Sequence, residues 1–246
     1  MNDVMAISLQ AMQLDATRLA RVGGNLANAT TPGYKREVGA QAGIVGGLSF
    51  AELVETQSAA AAASETGGLG GVALRDMRVG TFKPTGQPLD LALTGRGFFE
   101  VATPAGPAYT RHGQFQLDAR GRVVDAQGRA LMGIGGEIVL TGTPTIDASG
   151  NVSENGRVIA KLRVVDFEAS ERLERIDGGY AGGRQALPVD EAAVQVRQGQ
   201  LENANVDSAR EMVDLIRTMR HFESMQRVVQ SYDDMLGTGI RKLGDV

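Results

Sequence analysis

The chain contains no cysteine and no tryptophan. Without cysteine there is no disulfide, no thiolate nucleophile and no cysteine-ligated metal site. Aromatic residues make up 4% of the 246 residues, too few for a carbohydrate cleft or a base-stacking surface. The only histidines are His112 and His221, and neither has carboxylates at a metal-site spacing around it. No apolar run approaches the roughly 18 residues a membrane-crossing helix needs, so direct membrane insertion is not expected. Neither sign of charge dominates: 25 basic residues face 29 acidic ones, for a net charge of −4. That balance gives no electrostatic footprint for nucleic acid. The opening MNDVMAISLQAMQ lacks a basic stretch, a continuous apolar core and a cleavage site, so a cleaved secretory signal is not expected.

Catalytic patterns are equally scarce. No G-x-S-x-G elbow is present. Gly95-Arg96-Gly97 lacks the third glycine of a dinucleotide loop and the Lys-Ser/Thr of a phosphate loop. It reads as a tight turn ahead of Phe98 and Phe99. The expectation is a protein that is not an enzyme, with no catalytic residue, no cofactor and no metal.

What the chain has is greasy ends. Near its C-terminal end, Met212, Leu215, Met219, Phe222, Met225, Val229, Tyr232, Leu236, Ile240 and Leu243 step by three or four, one stripe of an α-helix. Arg210, Asp214, Arg217, Arg220, Glu223 and Arg227 occupy the opposite face. Ser208 with Glu211 fits a capping box, with Asn205 and Asp207 as alternative caps. Near the N-terminal end, Met5, Leu9, Met12, Ala16, Leu19, Gly23 and Leu26 alternate in steps of four and three, a seven-residue repeat. Asp3, Gln13, Asp15, Arg18 and Arg21 fall off that seam. Pro32 limits this helix. These stripes suit either a coiled-coil-like assembly with other chains or a helix pair packed on the core of one domain. The candidate assembly interface is Met5, Leu9, Met12, Leu19, Leu26, Met212, Leu215, Met219, Phe222, Val229 and Leu236.

The middle of the chain reads as β. Leu89, Leu91 and Leu93 alternate with polar or small residues, as do Phe115 and Leu117, and Val158, Ala160, Leu162 and Val164. Asp118-Ala-Arg-Gly121, Asp125-Ala-Gln-Gly128 and Asp147-Ala-Ser-Gly150 share the form D-A-x-G. In that form the aspartate can bond its own backbone two residues on, and the glycine accepts positive φ. Such turns at strand-like spacing predict hairpins in an antiparallel sheet or barrel. GGYAGGR around Ala181 reads as a loop, and Val194, Val196 and Gln198 as a last strand. The fold class expected is α+β, with long N- and C-terminal α-helices forming a coiled-coil-like assembly domain, and with a central antiparallel all-β domain. The expected boundaries are an N-terminal assembly helix at 1–32, a Gly- and Ala-rich connector at 33–71, a β domain at 72–201 and a C-terminal assembly helix at 202–246.

Four blocks carry a family likeness: NLANATTPGYKR (25–36), PLDLALTGRGFFEV (88–101), YTRHGQFQLDARGRVVDAQGRALMG (109–133) and GQLENANVDSAREMVDLIRTMRHFESMQRVVQSYDDML (199–236). They resemble, in order, the signatures of the bacterial flagellar rod-and-hook axial proteins. The family motif positions are Asn25, Leu26, Asn28, Thr31, Pro32, Gly33, Gly95, Gly97, Phe98 and Phe99. The resemblance implies a structural subunit that polymerises around a central export channel, crosses the periplasm as a drive shaft and transmits torque to the hook. It implies other copies, neighbouring rod proteins and the flagellar type III export apparatus as partners, and the basal body as location. Chain length and the short connector resemble the proximal branch of the rod group, with the distal branch as the alternative. A ligand-binding or adaptor β domain with helical ends is the alternative from another class.

Overall fold

The computed structural model describes residues 2–39, 74–167, 173, 175–176, 179–181, 187–188 and 195–244. The expected connector beyond residue 39, with the Ala-rich stretch at 58–64 and the glycines at 67–71, lies outside them, as does Val194. The fold is α+β, with helices near both ends of the chain and antiparallel strands between. It divides into two compact units.

The first unit holds helix α1 (Asn2–Ala27) and helix α2 (Ser208–Gly244). Both are long for the reason their pattern indicates: apolar residues recur every three or four positions without an internal proline. The cap of α2 is Asp207, whose Oδ1 accepts the N–H groups of Ala209 and Arg210, each at 3.1 Å. The Ser208–Glu211 capping box therefore does not form. Asp207 reaches the first free amides ahead of Ser208, and Glu211 is turned inward and fully buried.

The second unit comprises Asn28–Arg36 and Ala73–Val206. Its main sheet has six antiparallel strands in the order Arg175–Ile176, Gly179–Ala181, Gly106–Thr110, Phe98–Thr103, Val164–Asp166 and Leu187–Pro188. The strand Phe98–Thr103 shows why a sheet with two covered faces forms. Phe99 and Val101 point into a core with Leu91, Leu93, Phe115, Leu131, Ile138 and Leu162. Phe98, on the opposite pleat, packs with Tyr109, Phe167 and Tyr180, as the period of two requires. Edge-to-face pairs at 4.9–5.8 Å between ring centroids fix that second cluster. Tyr180 sits opposite Tyr109 in register, so the GGYAGGR segment contributes a strand at Gly179–Ala181 where a loop was expected. The expected last strand is present at Gln195–Gln198, paired with Leu91–Thr94.

Two strand expectations are corrected. Val158 was to share a face with Ala160 and Leu162, yet it is exposed while Leu162 is buried. The register slips between Val152 and Ser153, which sets Val152 opposite Ala160 but Ser153 opposite Val158. That extra residue turns Val158 outward. Likewise Phe115 is buried but Leu117 is exposed, because the extended segment is only Gln116–Leu117 before the Asp118 turn.

The D-A-x-G turns fold as their chemistry demands. In each, the glycine N–H donates to the aspartate carbonyl at 3.0 Å, and the glycine φ is 76°, 78° or 81°. Each aspartate Oδ1 accepts N–H groups two and four residues on, at 2.8–3.0 Å. The fourth residue also donates its side chain to Oδ2: Arg122 and Arg129 through Nε, Asn151 through Nδ2.

Candidate assembly site

Helices α1 and α2 lie antiparallel. Asn25 Nδ2 donates to Glu211 Oε2 at 3.3 Å, and Asp15 Oδ2 meets His221 Nδ1 at 2.5 Å, so α2 runs forward as α1 runs back. The seam between them is mixed, with polar residues at its most buried positions. The residues of α1 below 9% exposure are Ser8, Asp15, Val22 and Asn25; those of α2 are Glu211 and Thr218. Asp15 thus faces inward rather than off the seam. A partner 206 residues away, His221, compensates its burial, and a buried carboxylate requires such compensation.

A second set of large apolar side chains faces outward. Met5, Ile7, Leu9 and Leu14 of α1 are 47–65% exposed, and Met212, Val213, Ile216 and Met219 of α2 are 46–54% exposed. Of the candidate interface, Met12, Leu19, Leu26, Leu215, Phe222 and Val229 are half-buried, while Met5, Leu9, Met212 and Met219 are exposed. The side chain of Leu236 lies outside the described residues. On the outer face, Glu223 and Arg227 form the expected pair at 3.9 Å.

The family-motif residues do structural work in each unit. In the first, Asn25 is buried, takes the Glu37 N–H on Oδ1 at 2.8 Å and returns Nδ2 to the Glu37 carbonyl at 2.9 Å. In the second, Asn28 accepts the Thr31 N–H at 3.0 Å in the turn before Pro32. Gly33 has φ 69°, and its N–H donates to the Glu202 carbonyl at 2.7 Å. Gly95 and Gly97, at φ 97° and 129°, make the bend that delivers Phe98 and Phe99 to opposite faces of the sheet.

Around these motifs lies a cluster of buried charges that the sequence analysis did not single out. Lys35, Glu202 and Arg111 are each at most 4% exposed. Lys35 Nζ sits 2.6 Å from Glu202 Oε1 and 2.9 Å from the Arg78 carbonyl. Arg111 reaches Glu202 Oε2 at 3.5 Å and the Gly95 carbonyl at 2.6 Å. Burial pushes the Lys35 ammonium below its usual range, against the opposing pull of Glu202; burial also lowers Arg111. The sequence signal was that these residues fall inside the family-like blocks. Lys35 and Glu202 themselves are 167 positions apart, beyond any local spacing rule.

A cavity of about 120 Å³ next to this cluster is lined by Thr31, Gly33, Tyr34, Arg111, His112 and Tyr180 among others. It falls below the roughly 300–1,000 Å³ of small-molecule sites. Burial holds the His112 imidazole below its ordinary range, and its Nδ1 has no hydrogen-bond partner. No group of His, Asp and Glu suited to a metal occurs among the described residues. No described helix is long and apolar enough to cross a membrane.

Comparison with known proteins agrees with this picture. Residues 197–242 match the family described as flagellar basal body rod FlgEFG protein C-terminal, and residues 92–160 match the flagellar hook protein FlgE/F/G D1 domain. The flagellar basal-body rod protein FlgF of Escherichia coli is 30% identical, over 96% of this chain and 96% of its own. FlgF of Rhizobium meliloti is 32% identical over 68% of this chain and 72% of its own. FlgG of Bacillus subtilis is 26% identical over 93% and 94%. The long helices, the antiparallel unit between them and these relatives converge: the chain belongs to the flagellar basal-body rod protein family, as a structural subunit of the basal body and not an enzyme.

Proposed function

We propose that the two helices form a coiled-coil-like assembly surface that binds other copies of the chain and neighbouring rod proteins, building the proximal part of the rod around an export channel. The observation that carries this is the large apolar surface the helix pair leaves uncovered. Its most buried positions are Ser8, Asp15, Val22, Asn25, Glu211 and Thr218, while Met5, Leu9, Met212, Ile216 and Met219 face outward. Exposed apolar side chains repeated along both helices mark surface suited to interaction.

Magnitudes indicate how many neighbours are needed. Completing the burial of eight such side chains, each already about half covered, contributes about half of 1.5–3 kcal/mol apiece, roughly 6–12 kcal/mol gross. Association costs about 4–15 kcal/mol before any side chain is ordered. One neighbour leaves little surplus, so a subunit must be held by several, as in a helical array whose head-to-tail contacts do not close. Such a shaft would stand in the periplasm, transmit torque to the hook and receive its subunits from the flagellar type III export apparatus. The 30% identity to FlgF of Escherichia coli, against 26% to FlgG of Bacillus subtilis, supports the proximal position over the distal one.

The experiment is rod assembly in a host lacking its own copy of this protein, complemented with Met212→Asp or Met219→Asp. Loss of rods with helicity retained in the purified chain supports the reading. Motile cells with normal rods refute it, and a small closed oligomer that never sediments with basal bodies favours an adaptor.

A further inference from the structure

Three segments of the β unit lie beside the points where the chain passes to the other unit: residues 33–36, 76–80 and 200–205. Inside the β unit they are stitched together. Glu202 Oε1 takes Lys35 Nζ at 2.6 Å and the Gly80 N–H at 3.0 Å. Asn205 Oδ1 takes the Arg36 N–H at 2.7 Å, and its Nδ2 donates to the carbonyls of Asp76 and Arg78 at 2.7 and 2.9 Å. Arg111 closes the cluster on Glu202 Oε2.

A buried ion pair is weak ground for stability, because well-packed apolar residues often serve as well. It does impose geometry. A carboxylate that takes an ammonium and a backbone N–H on one oxygen has little freedom to shift, since any slip leaves a buried charge unpaired. Here that constraint falls on segments far apart in sequence.

We propose that Lys35, Glu202 and Arg111, with Asn205, are positioning residues that clamp the three segments in one register, so that twist entering the β unit through any of them is delivered without slack. The proposal rests on the rod reading, and gives the transmission of torque a residue-level device.

The test has two arms. In the purified full-length chain, Glu202→Gln is examined by hydrogen exchange. The expected result is joint loss of amide protection at Gly33, Gly80 and Asn205, with Val101 and Thr110 unchanged. Loss confined to the immediate neighbours of residue 202 overturns the clamp. Should Glu202→Gln unfold the unit, Lys35→Met is read the same way, and global unfolding in both overturns the clamp in favour of a core role.

In the second arm the variant that folds replaces the native copy in its own host. Rods of normal number are expected, with swimming kept in dilute medium and lost in viscous medium. An unchanged response to load, or a folded variant that builds no rods, overturns the clamp. Failure of the wild-type copy to support motility sinks the rod reading alone and leaves the exchange result standing.

Discussion

Gly33 and Arg111 approach so closely that a Cβ on Gly33 would lie 2.3 Å from the Arg111 carbonyl oxygen. The glycine is held there by φ 69° and by its hydrogen bond to Glu202. Gly33→Ala therefore meets both a left-handed backbone and backbone atoms that cannot swing aside. The expected cost to the β unit is about 1–3 kcal/mol from the backbone strain, and the clash adds to it. Denaturant unfolding followed by tyrosine fluorescence measures it; an unchanged midpoint would show that the 28–36 segment does not dock as described.

The three aspartate turns share one hydrogen-bond pattern but differ in burial. Asp125 is fully buried beside Arg129, whereas Asp118 is half-buried and Asp147 exposed. Asp125→Ala removes the carboxylate that pairs with the largely covered Arg129 guanidinium and holds its own turn, and is expected to cost about 3–5 kcal/mol. Asp118→Ala and Asp147→Ala are expected to cost clearly less. Equal effects in the three variants would mean that the local turn, not the buried pair, sets the stability.

The pH dependence of the β unit is expected to carry a signature of His112. Its pKa in the folded chain lies below the ordinary value of about 6.5. The unfolded state therefore binds the proton first as pH falls. The histidine's contribution is fully present above about 6.5 and is lost as pH drops from there toward the folded value. His112→Gln is expected to flatten that part of the stability profile, measured as denaturant midpoint against pH.

The helix pair offers a direct contrast between a small buried polar residue and a large exposed apolar one. Asn25→Ala removes the bonds to Glu37 and Glu211 and is expected to destabilise the unpolymerised chain by about 1–3 kcal/mol. Met219→Ser, on the exposed face, is expected to change it by less than about 0.5 kcal/mol. The reverse order in thermal unfolding followed by circular dichroism would show that the apolar face is covered within the chain.

Much of the architecture was legible because it rests on local rules. The stripe from Met212 to Tyr232 required a helix. The D-A-x-G form required a hydrogen-bonded turn, and the alternation at Leu89, Leu91 and Leu93 required a strand. Rotation of the helices was not legible. Apolar periodicity located the stripe, but the facing side of α1 is the column through Ser8, Asp15 and Val22, because Asp15 and Asn25 find partners in His221 and Glu211. Val158 was misplaced for a related reason: a one-residue slip in pairing leaves no mark on the alternation itself. The burial of Lys35 leaves no local mark, since nothing near it in the chain announces Glu202.

The aspartate turns also bear on the order in which the molecule takes shape. Each closes on residues no more than four positions away, and loops that short form in far less than a millisecond. Each turn can close before distant parts of the chain have met. Lys35 must find Glu202 across 167 positions. The hairpins therefore organise first, and the three junction segments lock only once all of them are in place.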